Sequence, residues 1–316
     1  MVVRANLWDA TAMRVAAIDC GTNSIRLLIA DISGGSFREI YRGMEIVRLG
    51  QGVDETGKFH PDAIARTLAA VDIFHAELAR RGVEKLRFCA TSAARDATNR
   101  ELFLEGVHEK LGIYPEVISG NEEAALSFGG ATKELNQSQS PFLVVDIGGG
   151  STEFVFGGPR VESAESVNIG CVRLSERHFR SDPPTGDEIE SARRDIQAAI
   201  AKAAAVVPIT KAQTLIAVAG TATTVAAAAL NLIEYDRYSI HLSRISAEQV
   251  DEVSQMFLSM NRDERAALGY MHPGRVDVIS AGALVLSEIM RATGAKEFVA
   301  SESDILDGMA WSLAQS

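Results

Sequence analysis

Cysteine is scarce: Cys20, Cys89 and Cys171 are the only three in 316 residues, and none is spaced for a disulfide framework or a zinc site. That usage fits a reducing cytoplasm. Cys20 adjoins an aspartate, but no basic residue lies close to it in sequence to generate a nucleophilic thiolate. No run reaches the ~20 apolar residues of a membrane span, and the longest, Leu215 to Leu230, is broken by polar groups. Residues 1–13 contain Arg4 and Asp9 and lack an apolar core, which excludes a secretory signal and leaves an expected leader before the first strand. No two histidines sit at a His-x-x-x-His spacing, and His178 and His272 read as surface residues with a ligand contact as the alternative. The absence of any His-Asp dipeptide excludes the simplest metal-dependent His-Asp phosphohydrolase module. Basic residues are also in the minority, 31 against 42 acidic ones, for a net charge of −11. This argues against nucleic-acid partners, which call for a broad basic face, so an anionic substrate would have to be drawn by local arginines.

The composition, 47% apolar and 23% charged, is that of a globular protein long enough for two domains. One stretch organises the chain. Phe142 to Ile147 reads as a buried strand that delivers Asp146 into the turn Gly148-Gly-Gly-Ser151, and Glu153 to Phe156 resumes as a strand. Glycines at such a tip let backbone N–H groups face an anion, and the turn is expected to need positive φ. Asp146 is placed to hold Mg²⁺ beside that anion, because Mg²⁺ takes one or two carboxylates with phosphate oxygens and waters. A Gly-rich turn with a solvated aspartate is the alternative. A second copy weakens it: Val15 to Asp19, the turn Cys20-Gly-Thr-Asn23, and Ser24 to Asp31 repeat the plan, with Asp19, Gly21 and Ser24 matching Asp146, Gly148 and Ser151. Two such units predict two similar domains that face each other across a cleft.

Phe37–Val47 reads as a third strand, followed by a polar turn to Gly57 and a helix from Pro61 to Gly82. Lys85–Ala90 is a strand that ends in the hydroxyl-rich loop Thr91–Asp96, where Arg95 is the charge to aim into the cleft. Asn99 caps a helix to Leu111, and Asn121 caps the next, placing Glu122 and Glu123 in its first turn. Acids there are favoured by the helix dipole for structural reasons alone. Residues 137–140 connect to the second half. There, a capping box at Thr185 and Glu188 starts a long helix, and Leu215–Ala219 is a strand. Gly220–Thr224 opens an alanine-rich helix, either as a nucleotide or phosphate turn or as a tight connection. Asp277–Arg291 is an apolar helix expected between the domains, Lys296–Ala300 a strand, and Ser303 the cap of the last helix. The alternation predicts an α/β fold with mixed sheets.

In this order, Asp19 to Ser24, Arg48-Leu-Gly50, Thr91 to Arg95, Ser119 to Ala124, Asp146 to Thr152, Gly220 to Thr224 and Arg275 to Val278 resemble the exopolyphosphatase and guanosine pentaphosphate phosphohydrolase family, from about Val15 onward. The resemblance implies two ribonuclease-H-like domains of the actin-like superfamily, residues 1–136 and 137–302, with the last helix, 303–316, folding back onto the first. It implies Mg²⁺-dependent hydrolysis of a terminal phosphate, with Glu123 as catalytic base, Asp146 and Asp19 at the metal, and Arg95 and, more weakly, Arg48 on the substrate. Gly21, Thr22, Asn23 and Ser24, together with Gly148, Gly149, Gly150 and Ser151, would form the phosphate cradles. A homodimer is implied by analogy.

Two departures stand out. Ala219 occupies a position where relatives often have glycine. Long members also carry a further helical region with His-Asp character, so this chain is expected to prefer shorter polyphosphate. The expected substrate is inorganic polyphosphate, with guanosine pentaphosphate as the alternative. A sugar or acetate kinase and a non-catalytic sensor are remoter readings. The helix N-terminus is expected to keep Glu123 ionised, with substrate phosphate pushing the other way.

Overall fold

A computed structural model describes residues 12–315, so the leader expected over residues 1–11 lies outside the described residues. The first strand already begins at Met13. Strands β1 (Met13–Cys20), β2 (Ser24–Ser33), β3 (Ser36–Ile46), β4 (Lys85–Ala90) and β5 (Glu116–Val117) form one sheet in the order β3-β2-β1-β4-β5. Strands β6 (Phe142–Ile147), β7 (Thr152–Gly157), β8 (Val161–Val167), β9 (Thr214–Val218), β10 (Arg244–Ser246) and β11 (Glu297–Ala300) form the other, in the order β10-β11-β9-β6-β7-β8. Each sheet therefore has an antiparallel meander joined to parallel strands. The repeat read from two short motifs extends to the order of whole sheets.

Most elements follow local chemistry. The Pro61–Arg81 helix has proline at its start and left-handed Gly82 at its end, and the Gly186–Ala204 helix carries the Thr185/Glu188 capping box. Four assignments shift. Thr91–Asp96 is not a loop: Ser92–Asp96 is a helical turn. Ser119, not Asn121, caps the Gly120–Thr132 helix by accepting from the Glu122 N–H. Asn99 instead bonds the backbone of Phe59 on both sides. At the last helix, Ile305–Gln315, it is Asp304 rather than Ser303 whose side chain accepts from the Leu306 N–H.

The apolar helix Ile279–Thr293 is buried, but among the helices of the second half rather than between the halves. Two other helices fill that place. Ala124, Phe128 and Ala131 of the Gly120–Thr132 helix pack on Val144, Val155 and Ile216 of the second sheet. Ile305, Leu306 and Met309 of the last helix pack on Val15, Ala17 and Leu28 of the first. Each half thus lends a helix to the layer between the sheets, and the helix bearing Glu123 is one of the pair. No helix among the described residues is long and apolar enough to cross a membrane.

Glycine sets how closely these two helices approach. A Cβ on Gly308 would lie 2.0 Å from the Leu126 carbonyl oxygen, and one on Gly130 would overlap the Asp304 carbonyl. Gly308→Ala is expected to destabilise the protein by about 2 kcal/mol, as overpacking typically does, read as a lower urea midpoint. An unchanged midpoint would contradict the packing described.

Candidate active site

The two Asp-Gly hairpins meet tip to tip. In both, the first glycine N–H donates to the carbonyl three residues on, Gly21 to Ser24 and Gly148 to Ser151, each at 3.0 Å. The glycines are not there for backbone conformation: Gly21, Gly148, Gly149 and Gly150 all lie outside the left-handed region. The expected need for positive φ is therefore corrected, and close approach is the reason at Gly149 and Gly150. A Cβ on Gly149 would sit 2.9 Å from the Thr22 Cβ, and one on Gly150 would sit 2.6 Å from the Thr22 Oγ1. The carbonyls of Gly148 and Gly149 accept from the first N–H groups of the Cys171–His178 helix. Among the described residues, the N–H groups of Thr22, Asn23, Gly149, Gly150 and Ser151 have no protein acceptor, and the Thr22 hydroxyl is buried without a partner. All five residues line a cleft of about 100 Å³. A set of unused donors around so small a space is suited to a phosphoryl group.

Asp19, Glu123 and Asp146 line the same cleft and are buried. Glu123 sits in the first turn of its helix with its carboxylate bonded to Arg95 at 2.6 Å. Burial pushes its pKa up, as does the charge of Asp19, against the pull of Arg95 and Thr91. The expectation that the helix N-terminus dominates is thereby reversed, because desolvation of a carboxylate outweighs the partial charge of a helix end. Asp146 is pushed up to about 7 by burial and then by the charge of Asp304, while a 2.5 Å bond from Ser127 opposes the rise. Asp19 is held by Arg26, whose Nη2 lies 2.6 Å away.

Glu153, Arg26 and Arg275 were not read from the sequence as site residues. Glu153 faces Asp146 across β6 and β7, as Arg26 faces Asp19 across β1 and β2. One Glu153 oxygen accepts from Ser166 at 2.7 Å, and the other is buried without a partner. Burial, then the charges of Glu123 and Asp146, raise its pKa well above the carboxylate range. Arg275 lines the cleft and donates to the Gly220 carbonyl and the Thr224 hydroxyl. The expected substrate arginines sit differently. Arg95 is engaged by Glu123 and the Ile118 carbonyl, and Arg48 pairs with Asp277 at 2.7 Å without lining the cleft.

His178 contacts Ser191 and Asp195, away from the cleft. Burial raises the Cys20 thiol pKa well above its usual value, which disfavours a thiolate. Ala219 has φ 66°, a left-handed conformation that costs a residue with a Cβ about 1 kcal/mol, and it starts the alanine-rich helix itself.

No three acidic, histidine or cysteine side chains form a ready metal cage among the described residues. The unpartnered Glu153 oxygen and the Asp146 carboxylate beside it still fit Mg²⁺, which needs only one or two carboxylates when phosphate oxygens and waters complete its shell.

A family model described as the Ppx/GppA phosphatase family matches residues 28–316. The chain belongs to that family. It is 49% identical over 314 residues to a Mycobacterium tuberculosis protein named exopolyphosphatase 2, covering 95% of this chain and 98% of the other. A crystal structure of an exopolyphosphatase-like protein superposes with a TM-score of 0.92 at 43% identity, covering 96% of this chain and 98% of that one. A Ppx/GppA family member from Aquifex aeolicus superposes at 0.81 with 31% identity, covering 96% and 98%. The two-sheet architecture is of the actin-like ATPase type.

With a folded pKa of about 7, Asp146 keeps a proton that the unfolded chain releases near its ordinary value. Its contribution favours the folded state fully below about pH 4 and is lost as pH rises through about 7. In buffer free of divalent cations, the melting temperature of the parent is expected to fall more steeply than that of Asp146→Asn between about pH 5 and about pH 9. Coincident slopes would contradict the shift.

Proposed function

We propose that this protein is an exopolyphosphatase, a phosphoanhydride hydrolase that removes the terminal phosphate of inorganic polyphosphate. The observation that carries the reading is the ring of unused hairpin N–H donors around a cleft that also contains Glu123. A phosphoanhydride is already activated, so positioning and charge stabilisation suffice without a covalent nucleophile. The N–H groups of Thr22, Asn23, Gly149, Gly150 and Ser151 hold the terminal phosphoryl oxygens, with the Thr22 hydroxyl as a further donor. Arg95 orients Glu123, which takes the proton from the attacking water. A base whose pKa is raised toward neutrality is better matched to that proton transfer than an ordinary carboxylate. Asp146, with Glu153 beside it, would hold Mg²⁺, which supplies neutralisation of the phosphate charge. Arg275 meets the chain on the side where the cleft continues.

Guanosine pentaphosphate is the second reading. It is favoured by an adjoining cavity of about 610 Å³, lined in part by Tyr235, Tyr270 and Met44, that is large enough for a nucleoside. A cytoplasmic location agrees with three free, buried cysteines. The homodimer implied by the resemblance is part of the proposal, and sedimentation at equilibrium checks it.

Phosphate release in Mg²⁺ is to be measured in parallel from short polyphosphate, long polyphosphate and guanosine pentaphosphate. Polyphosphate is expected to be cleaved, and Glu123→Gln to lower kcat by roughly 10²–10⁴-fold with binding retained. Release confined to the guanosine compound would move the assignment to the second reading, and parental turnover by Glu123→Gln would remove that residue from the mechanism.

A further inference from the structure

The cleft and the cavity adjoin, sharing Arg26, Gly220 and Arg275 in their linings. A polyphosphate whose terminal group lies between the hairpins and whose next phosphates enter the cavity passes these residues. The cavity beyond carries four guanidiniums and three carboxylates, and most of the cations are already answered by acids. Arg42 bonds Glu39 and Asp307, and Arg237 bonds Glu39. Arg26 has a carboxylate on each side, Asp19 in the cleft and Asp304 in the cavity. Arg275, by contrast, has no ion pair among the described residues.

Asp304 is placed with care by the chain. It immediately precedes the last helix, its side chain accepts from the Leu306 N–H, and its own N–H donates to Asp307. The residue is 4% exposed, yet it lines the cavity. A capping role alone is met equally well by asparagine or serine, neither of which adds a charge. The charge has a consequence that the cap does not. It neutralises Arg26 on the side where a second or third phosphate would meet it, and it repels those phosphates directly.

Building on the polyphosphate reading, we infer that Asp304 is a specificity-determining residue. It holds Arg26 on the side facing the adjoining cavity and so limits how strongly the protein grips phosphates beyond the terminal group. Chain-length preference is then set in part by a carboxylate within the described fold. Pyrophosphate, confined to the cleft, senses Asp304 only at the distance at which its charge reaches Asp146. A long chain meets it directly in the cavity.

The test is equilibrium binding of pyrophosphate and of long-chain polyphosphate, in EDTA, to the parent, Asp304→Asn and Asp304→Ser, with melting temperatures confirming that each is folded. The Kd for the long chain is expected to fall about tenfold in Asp304→Asn while that for pyrophosphate falls by no more than about threefold. Asp304→Ser keeps the cap and supplies the same comparison if the asparagine variant is unstable. Equal changes for both ligands, no change, or weaker long-chain binding would assign Asp304 a structural role and overturn the inference. A parent that binds polyphosphate but releases no phosphate sinks the hydrolase reading and leaves this comparison standing. A parent that binds neither ligand in EDTA overturns the inference and leaves the hydrolase reading, which is tested by release in Mg²⁺, standing.

Discussion

The contact between Gly149 and Thr22 is the constraint on which the site depends. Two hairpins built to the same plan can converge on one small anion only if their tips nearly touch, and at 2.9 Å from the Thr22 Cβ there is no room for a side chain at position 149. With the tips together, Asp19 and Asp146 come to face one cleft, and the free amides of both turns line it. The helices between the sheets fix the third participant. Because Gly130 and Gly308 allow the Glu123 helix and the last helix to cross at backbone contact, the helix that carries Glu123 is held in the layer between the two sheets.

That convergence gathers buried acids. Asp19, Glu123, Asp146 and Glu153 are all under a tenth exposed, and burying charge costs free energy unless it is paired or protonated. Arginine answers two of them, Arg26 at Asp19 and Arg95 at Glu123. Burial raises the pKa of all four, and Asp146 and Glu153 have hydroxyls, from Ser127 and Ser166, rather than arginines bonded to their carboxylates. An acidic protein thereby builds an anion site from backbone dipoles and a few local cations, which resolves the tension between a net charge of −11 and a phosphate-bearing substrate.

Much of this was legible because it is local. The strand–Asp–Gly pattern occurs twice, and the capping box at Thr185 and the proline start at Pro61 marked their helices. Arg26 and Glu153 were within reach too: each lies seven residues after its hairpin's aspartate and faces it once the turn is closed. Arg275 stood within the motif Arg275 to Val278, but its place in the cleft beside Gly220 and Thr224 comes from the fold. Asp304 carried no such signal, because what makes it matter is contact with Arg26, 278 positions away. The same distance explains Arg48. Its sequence neighbours gave no hint of Asp277, and an arginine near a cleft serves a substrate only if no carboxylate from elsewhere reaches it first.

The most direct test of the hairpin contact is the rate of phosphate release by Gly149→Ala, with the folded state verified by circular dichroism. A methyl group that forces the tips apart should lower kcat by at least about tenfold, since displacing catalytic groups by about an ångström can cost more than that. A folded Gly149→Ala protein turning over at the parental rate would contradict the claim that the site exists only when the two hairpins touch.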